Sequence, residues 1–343
     1  MSEMREFIED TTEKILRDLS TKETRERFEE GEWSKPLWKA VQESGLTYLG
    51  VDEDSGGVGG DSQDIFSILR IAGKYAAPLP LAEVIYANQF LAKVNGEVDD
   101  KLRVLHLCEE GEDTLFHVPY ARFVDEIIVV SPSGYERVNA SEMTYTSKAN
   151  LAAEPRDLVQ WNKGKIGALT VPFQELKEDY ERYLTMSRVA MMTGAMESIL
   201  ALTVFYSKER QQFGRPLHRF QAIQHHLTAI AGEVAAAYAT FEATVAVYEK
   251  DTKNEKIAMA KIEISSNSNV VAKAAHQLHA GIGMTYEHEL HHFTRRLWSW
   301  REEAGNETYW ANHLADLYLT REETIWEAIT EVRGVEVNVG STV

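Results

Sequence analysis

Arg210 begins a segment, residues 210–217 (RQQFGRPL), whose residue types suit the binding of a diphosphate. Gly214 is expected to end a helix there, and Pro216 prevents that helix from resuming. An arginine at a helix C-terminus also interacts favourably with the helix dipole, so its role could be structural. A guanidinium beside a glycine corner can equally bind two diphosphate oxygens at once. Both interpretations are open at this point.

A second segment, residues 277–285 (QLHAGIGMT), places two glycines directly after an apolar helical pattern. Gly281 and Gly283 lack a Cβ atom, so the backbone there can lie close to a ligand or to another chain. The segment therefore indicates a close approach at the end of a helix.

Two further motifs favour structural roles. The glycine run at residues 55–60 (SGGVGG) lacks the Lys-Ser/Thr pair of a P-loop and lies in no βαβ unit, so we predict a flexible turn. His288, His291 and His292 have a spacing that could gather metal ligands on one helix face. No cysteine or aspartate scaffold accompanies them, so we predict a solvated helix start and no metal site.

The elements that must position these segments fall into three modules. Residues 1–97 have the pattern of several short helices, with Asp61 as an expected N-cap and Ser34 as another, before Pro36. Residues 98–178 contain short β-type runs separated by turn residues, which predicts a small β domain. The predicted strands are residues 104–107, 114–118, 126–130, 143–146 and 158–161.

Residues 179–333 are expected to form an up-and-down helical bundle, followed by a tail at residues 334–343. All eight prolines lie at or before Pro216, which leaves the last third free for long helices. One apolar stripe steps by three or four residues, as on a helix in a bundle. Its members are Phe220, Ile223, Leu227, Ile230, Val234, Tyr238, Phe241, Val245 and Tyr248. The predicted fold class is mainly α with a reduced β domain in the middle.

Composition and charge exclude several function classes. The chain has 343 residues, of which 44% are hydrophobic and 26% charged, and this is ordinary globular composition. Its net charge of −18 argues against nucleic acid and anionic membranes as partners. Cys108 is the only cysteine, so we expect no disulfide framework. We identify no signal peptide and no apolar run of membrane-spanning length, and we expect a cytoplasmic protein.

Together, the two glycine-containing segments resemble the acyl-CoA dehydrogenase family. The family pattern is an Arg-x-x-Phe-Gly corner, a Phe-Gln-x-Ile-Gln stretch and a Gln-x-x-Gly-Gly-x-Gly-like turn. Residues 210–214, 220–224 and 277–283 match it, with Ala280 in place of the first paired glycine. Residues 37–38, 43–46 and 51–59 look like the family's opening helices and loop, so the resemblance covers nearly the whole chain.

The resemblance implies FAD as cofactor and the oxidation of an acyl-CoA thioester to its trans-2-enoyl form. In such a reaction a carboxylate takes the α-proton while the β-hydrogen leaves as hydride to the flavin. Arg210, Phe213, Gln277 and Gly281 match positions that hold the FAD of a neighbouring subunit. The family's usual electron acceptor is an electron-transfer flavoprotein. Aliphatic, branched, aromatic and steroid-side-chain acyl groups are all compatible with these motifs.

The chain departs from the family in its middle domain. Family members carry a Thr-Glu-Pro-x-x-Gly-Ser-Asp stretch and a Trp-Ile-Thr-type strand, which line the flavin ring and substrate within one subunit. Neither occurs in residues 98–178, where Trp161 is the only tryptophan. The chain is thus expected to keep the cross-interface half of a flavin site and to lack much of its own half.

The catalytic base is a second departure. The two positions at which family members place their glutamate align with Ala304 and Leu184, neither of which can accept a proton. Glu302 and Glu303 lie beside the first position, and Glu181 lies one helical turn before the second. A small error in the register of the alignment would make Glu302 or Glu303 the base.

Three hypotheses follow from these residues. The first is an acyl-CoA dehydrogenase subunit that shares an FAD site with a second family member, as in two-plus-two heterotetramers whose partner supplies the base. The second is a self-sufficient homo-oligomeric enzyme that uses Glu302 or Glu303. The third is a structural paralogue without flavin or activity.

Overall fold

The structure is a computed structural model that describes residues 3–96 and 98–320. Helices and strands follow the predicted order of helical, β and helical domains. The predicted tail at residues 334–343, and the bundle beyond residue 320, lie outside the described residues.

The N-terminal domain consists of five short helices. They are α1 (Glu3–Leu19), α2 (Lys22–Glu29), α3 (Lys35–Glu43), α4 (Ser62–Lys74) and α5 (Leu81–Asn95). Asp61 caps α4 as predicted: its side chain accepts the amide of Asp64 at 3.0 Å, and the Asp64 carboxylate accepts the amide of Asp61 at 3.0 Å. Ser34 occupies the N-cap position of α3, but its side chain makes no capping hydrogen bond, so that part of the prediction was wrong.

The glycine-rich loop before α4 is a tight turn rather than a flexible one. Val51 and Gly59 form an isolated antiparallel bridge across it. A Cβ atom on Gly57 would lie 2.0 Å from the carbonyl oxygen of Val51, so the loop closes on itself. The backbone of this loop therefore packs against itself, which fixes the conformation of the turn.

The middle domain contains two three-stranded sheets. The first has the order β1 (Arg103–Leu107), β3 (Glu126–Ser131), β4 (Gly134–Asn139), and the second β2 (Thr114–Pro119), β6 (Arg156–Trp161), β5 (Met143–Thr146). Five of these six strands were predicted. Strand β4 was missed because its GYERVN sequence has only two strand-forming residues, Tyr135 and Val138, separated by two adjacent charged residues, and because it follows the turn at Ser131–Gly134 directly.

The C-terminal bundle has five helices among the described residues. They are α6 (Phe173–Glu209), α7 (Gln221–Val245), α8 (Glu255–His279), α9 (Leu290–Glu302) and α10 (Glu307–Leu319). Two-residue strands β7 (Gln211–Gln212) and β8 (Arg215–Pro216) form a small hairpin between α6 and α7.

Helix α6 crosses the N-terminal α4 at a pair of glycines. A Cβ on Gly73 would lie 2.0 Å from the carbonyl oxygen of Met191, and a Cβ on Gly194 would lie 1.8 Å from that of Arg70. Only glycine allows the two backbones to pack so closely. This crossing joins the first and third domains in one hydrophobic core.

The predicted apolar stripe on α7 is only partly buried. Ile230, Val234 and Phe241 lie in the core, whereas Tyr238 is 42% exposed beneath the guanidinium of Arg70. The stripe residues at the start of the helix, Phe220, Ile223 and Leu227, are half-buried. The N-terminal half of α7 therefore presents an apolar face that the described residues cover only in part.

Helix α6 also corrects the expectation that no segment reaches membrane-spanning length. Among the described residues it is the one helix long and apolar enough to cross a membrane, by length and composition. Of its most apolar stretch, 56% is buried inside the protein, so core packing accounts for much of that apolar character.

Candidate active-site cavity and bundle-end site

A cavity of about 630 Å³ lies where the three domains meet. Its helical wall carries Leu184 of α6, Trp298 of α9 and the turn after α9, residues 302–304. Both positions aligned with the family base, Leu184 and Ala304, thus line one cavity, together with Glu302 and Glu303. Glu181 is not among the described residues that line it.

Glu303 is fixed by two arginines. Arg156 of β6 donates to both of its carboxylate oxygens, at 3.0 and 2.9 Å, and Arg188 of α6 donates at 2.9 Å. Asn150 adds a fourth hydrogen bond at 3.0 Å. Although burial opposes the charged form, Arg156 and Arg188 lower the pKa of Glu303 to about 2. A carboxylate held so firmly in its charged form is a poor general base near neutral pH.

The ion pairs extend from Glu303 into a buried network. Arg188 also donates to Glu83 of α5 at 2.7 Å. Glu154, which is 2% exposed, accepts hydrogen bonds from the Trp300 indole at 3.0 Å and from Arg156 at 3.4 Å. The network joins all three domains, so the charged groups at the cavity floor bind the domains to one another.

Glu302 differs from its neighbour. It is exposed, lines the cavity, and accepts one hydrogen bond, from Asn306 at 3.2 Å. Of the two carboxylates beside the aligned base position, this is the one whose oxygens are available to a ligand. Glu181 instead accepts a hydrogen bond from the Tyr309 hydroxyl at 2.5 Å. Burial of Tyr309 is the larger cause and this hydrogen bond the smaller cause of a rise in the pKa of Tyr309 to about 12.

The turn that carries these residues is held by Lys261 of α8. Its side chain is fully buried, and Nζ donates to the carbonyl oxygens of Trp300, Arg301 and Glu303 at 2.6, 3.1 and 3.0 Å. These are carbonyls that the end of α9 leaves without helical partners. Burial and the nearby Arg188 lower the pKa of Lys261 to about 7. Ala304 then adopts a positive φ of 55°, which reverses the chain.

The predicted cofactor residues lie at the surface, at the end of the bundle where α6 and α8 finish. Arg210 is the C-cap of α6 and is exposed, and its guanidinium has no partner among residues 3–96 and 98–320. Phe213, at the tip of the β7–β8 hairpin, is 91% exposed with a φ of 52°.

Gln277 lies in the last turn of α8, and Gly281 follows it in a 3₁₀ turn (Ala280–Met284). Tyr206, one turn before Arg210, stacks on His279 with ring centroids 4.5 Å apart, so the ends of α6 and α8 are in contact. A Cβ on Gly281 would meet nothing within 4 Å, which leaves open space above it. The structure therefore brings the Arg210 and Gln277 segments to one end of the bundle.

An open groove of about 840 Å³ runs beside Gln277 and Gly281. Lys273, an exposed cation, lines this groove one turn before Gln277 and was not predicted from the sequence. Trp298 lines both the groove and the three-domain cavity, so this one side chain borders both spaces. The groove residues have no charged motif of their own, and only the helical spacing from Gln277 could have indicated Lys273.

The histidine prediction was wrong about burial. His292 is fully buried, and His291 is 8% exposed, because α9 packs against α2. His292 Nδ1 lies 2.9 Å from one oxygen of Glu29, and Arg295 donates to the other oxygen at 2.8 Å. Ligand atoms of Glu29, His291 and His292 lie within 4.8 Å of one another. Both oxygens of Glu29 are already bound, so the cluster links two domains as an ion-paired contact.

Three comparisons with known proteins agree with this architecture. Residues 180–318 match the family model described as acyl-CoA dehydrogenase, C-terminal domain. The acyl-CoA dehydrogenase IpdE2 of Mycolicibacterium smegmatis is 27% identical over 301 residues, which cover 86% of this chain and 93% of that protein.

Solved structures share the fold over nearly the whole chain. A chain of the ChsE4-ChsE5 complex from Mycobacterium tuberculosis matches with a TM-score of 0.83 and 20% identity, covering 94% of this chain and 99% of that one. Butyryl-CoA dehydrogenase from Megasphaera elsdenii matches with a TM-score of 0.80 and 18% identity, covering 93% and 99%. Residues 180–318 therefore match the C-terminal domain of the acyl-CoA dehydrogenases, and the chain as a whole shares the fold of these enzymes.

Proposed function

We propose that this chain is a subunit of an FAD-dependent acyl-CoA dehydrogenase that completes a flavin site shared with a longer family member. The observation that carries the proposal is the contrast between its two sites. In the cavity, Ala304 and Leu184 occupy the aligned base positions and the neighbouring Glu303 is already paired with two arginines, whereas the Arg210 guanidinium at the bundle end has no partner among the described residues. The ChsE4-ChsE5 match supports a heteromeric assembly, because that relative was solved as a complex.

The residues at the bundle end fit a flavin diphosphate. Arg210 is exposed and unpartnered within the described part of the chain, and the space above Gly281 and beside Gly214 is open. A guanidinium that is not already paired can bind two diphosphate oxygens without breaking an existing contact. Phe213 is exposed beside it and would cover an apolar part of the same ligand.

Bound FAD would supply the hydride acceptor for oxidation of the thioester. This chain's share would be binding: Arg210 holds the diphosphate, Gln277 offers an amide, and Gly281 allows close approach. The α-proton would go to a carboxylate of the partner, because Ala304 and Leu184 cannot take it and Glu303 is committed to Arg156 and Arg188. An electron-transfer flavoprotein would reoxidise the flavin, and a cytoplasmic location would suit this exchange.

A second candidate function rests on Glu302. Its exposed carboxylate lines the cavity and makes one hydrogen bond, so a homo-oligomeric enzyme could use it as the base. The lack of the family's flavin-ring segments in residues 98–178 favours the shared site.

The test is co-expression of the full chain with a longer family member. We expect the two to purify as one complex that carries fewer than one flavin per chain and is bleached by an acyl-CoA thioester. Arg210→Ala should release flavin from this complex, and Arg210→Lys, which keeps the charge, should release less. A homo-oligomer with one flavin per chain and the same bleaching would contradict the proposal.

A further inference from the structure

Two histidines of the β domain face the cavity without protein partners. His106 of β1 and His117 of β2 both line it, and neither imidazole has a hydrogen-bond partner among residues 3–96 and 98–320. Arg156 and Arg188, at the cavity floor, are instead both bonded to Glu303. The cavity's free hydrogen-bonding capacity therefore lies with the two imidazoles and with Glu302.

The backbone at His117 has an unusual conformation. The pairing of β2 with β6 shifts register between Leu115 and Val118, which is a β-bulge. Within it, His117 adopts a φ of 60°, a left-handed conformation that costs energy for any residue other than glycine. Bulges often redirect a side chain beside a binding site. Its neighbour Phe116 is 59% exposed and does not line the cavity.

We propose that His106 and His117 determine specificity in this cavity by binding an uncharged oxygen, a hydroxyl or ketone, on an otherwise apolar acyl group. Leu107, Leu151, Leu184 and Trp298 supply apolar contacts for the carbon skeleton. A volume of about 630 Å³ lies within the usual range for a small-molecule site.

The charge states of the residues that line the cavity favour an uncharged ligand oxygen over a carboxylate. Burial, and then the adjacent His117, lower the pKa of His106 to about 4, so this imidazole is neutral at pH 7 and offers one donor and one acceptor. Glu302 lines the same cavity and has no cationic partner among the described residues. An acyl group that ends in a carboxylate would therefore meet an unpaired negative charge and only neutral donors from His106.

The inference rests on the proposed function, because it takes an acyl-CoA as the ligand. The test uses the full chain and its assembly, with isothermal titration of octanoyl-CoA, 8-hydroxyoctanoyl-CoA, the ω-carboxy analogue and CoA alone. We expect the hydroxy form to bind about threefold to tenfold more tightly than octanoyl-CoA, the gain of one or two neutral hydrogen bonds. The ω-carboxy form should bind no more tightly than octanoyl-CoA.

Variants separate a binding role from a structural one. His117→Leu and His106→Leu should remove the preference for the hydroxy form, so that octanoyl-CoA and 8-hydroxyoctanoyl-CoA bind each variant with similar affinity. His117→Gly relieves the backbone strain, so its Tm should equal or exceed that of the wild type while the preference is lost. Phe116→Leu, on the same bulge, is the matched control and should keep both the wild-type Tm and the preference for the hydroxy form.

The outcomes separate the two proposals. No binding of any acyl-CoA to chain or assembly would contradict the proposed function. Acyl-CoA binding without preference for the hydroxy form, or a preference that survives in His117→Leu, would overturn this inference alone. Tighter binding of the ω-carboxy form would overturn it as well, because the cavity would then recognise a charge.

Discussion

The three-domain cavity and the bundle end carry similar residue types but use them differently. In the cavity, Arg156 and Arg188 are buried and bonded to Glu303. At the bundle end, Arg210 is exposed and has no partner among the described residues. A buried charge pair is costly to break, whereas an exposed and unpaired charge is free to bind a ligand. We therefore expect substitutions in the cavity to affect folding, and substitutions at the bundle end to affect the proposed cofactor binding.

The largest effect should follow from removing the carboxylate at the cavity floor. Glu303→Gln leaves two buried arginines without their charge partner, which should cost about 3–5 kcal/mol in the free energy of unfolding. Urea unfolding of the purified chain measures this. In the assembly, the variant should still bleach its flavin with an acyl-CoA, provided that it folds. Loss of bleaching with flavin bound and the fold intact would show instead that Glu303 is the base.

Lowering the pH should reproduce, in the wild type, part of the loss in the free energy of unfolding that Glu303→Gln causes. The pKa of Glu303 is about 2 in the folded chain and about 4.5 as its ordinary value, so its stabilising contribution is fully present above pH 4.5. That contribution is lost as the pH falls from about 4.5 to about 2, by at most about 3 kcal/mol. Unfolding measured over this range should show a steeper loss in wild type than in Glu303→Gln. Parallel curves would mean that the ion pairs contribute little.

Sequence predicted most of the architecture, and it offered candidate residues for both regions. The bundle-end candidates could be named because Arg210 and Gln277 lie in contiguous motifs with glycines, and the cavity candidates Glu302 and Glu303 because they lie beside an aligned position. Arg156, Arg188 and His117 were missed because they lie far apart in sequence and meet only when β6, α6 and β2 pack around one cavity. The role of Glu303 could not be predicted from its neighbours in sequence, because Arg156 comes from the β domain and Arg188 lies in α6, 115 residues before Glu303 in the chain.

Arg210→Ala should test the opposite side of the comparison, with an intermediate effect. An exposed, unpaired side chain contributes within about 0.5 kcal/mol to folding, so the Tm of flavin-free protein should barely change. Loss of a charge-assisted bond to a diphosphate should cost about 1.5–3 kcal/mol of FAD binding in the assembly. Flavin titration and thermal unfolding measure the two quantities. A large Tm drop with unchanged flavin affinity would show that Arg210 is structural.

The smallest effects should come from the two remaining carboxylates. Glu302→Gln and Glu181→Gln alter groups that make one hydrogen bond each in the described structure, so both variants should unfold within about 0.5 kcal/mol of wild type. If the partner supplies the base, both should also bleach flavin at wild-type rates. Removal of a true general base would slow bleaching by at least about 10²-fold. A loss of that size in Glu302→Gln would favour the self-sufficient enzyme.

The proposal that this chain holds only one half of a flavin site can be tested directly. The most direct measurement is the visible absorbance spectrum of the full chain, expressed without any partner and passed through gel filtration. We expect little or no flavin, because Arg210 and Gln277 would hold a cofactor whose ring contacts belong to another chain. One flavin per chain, retained through the column, would contradict it.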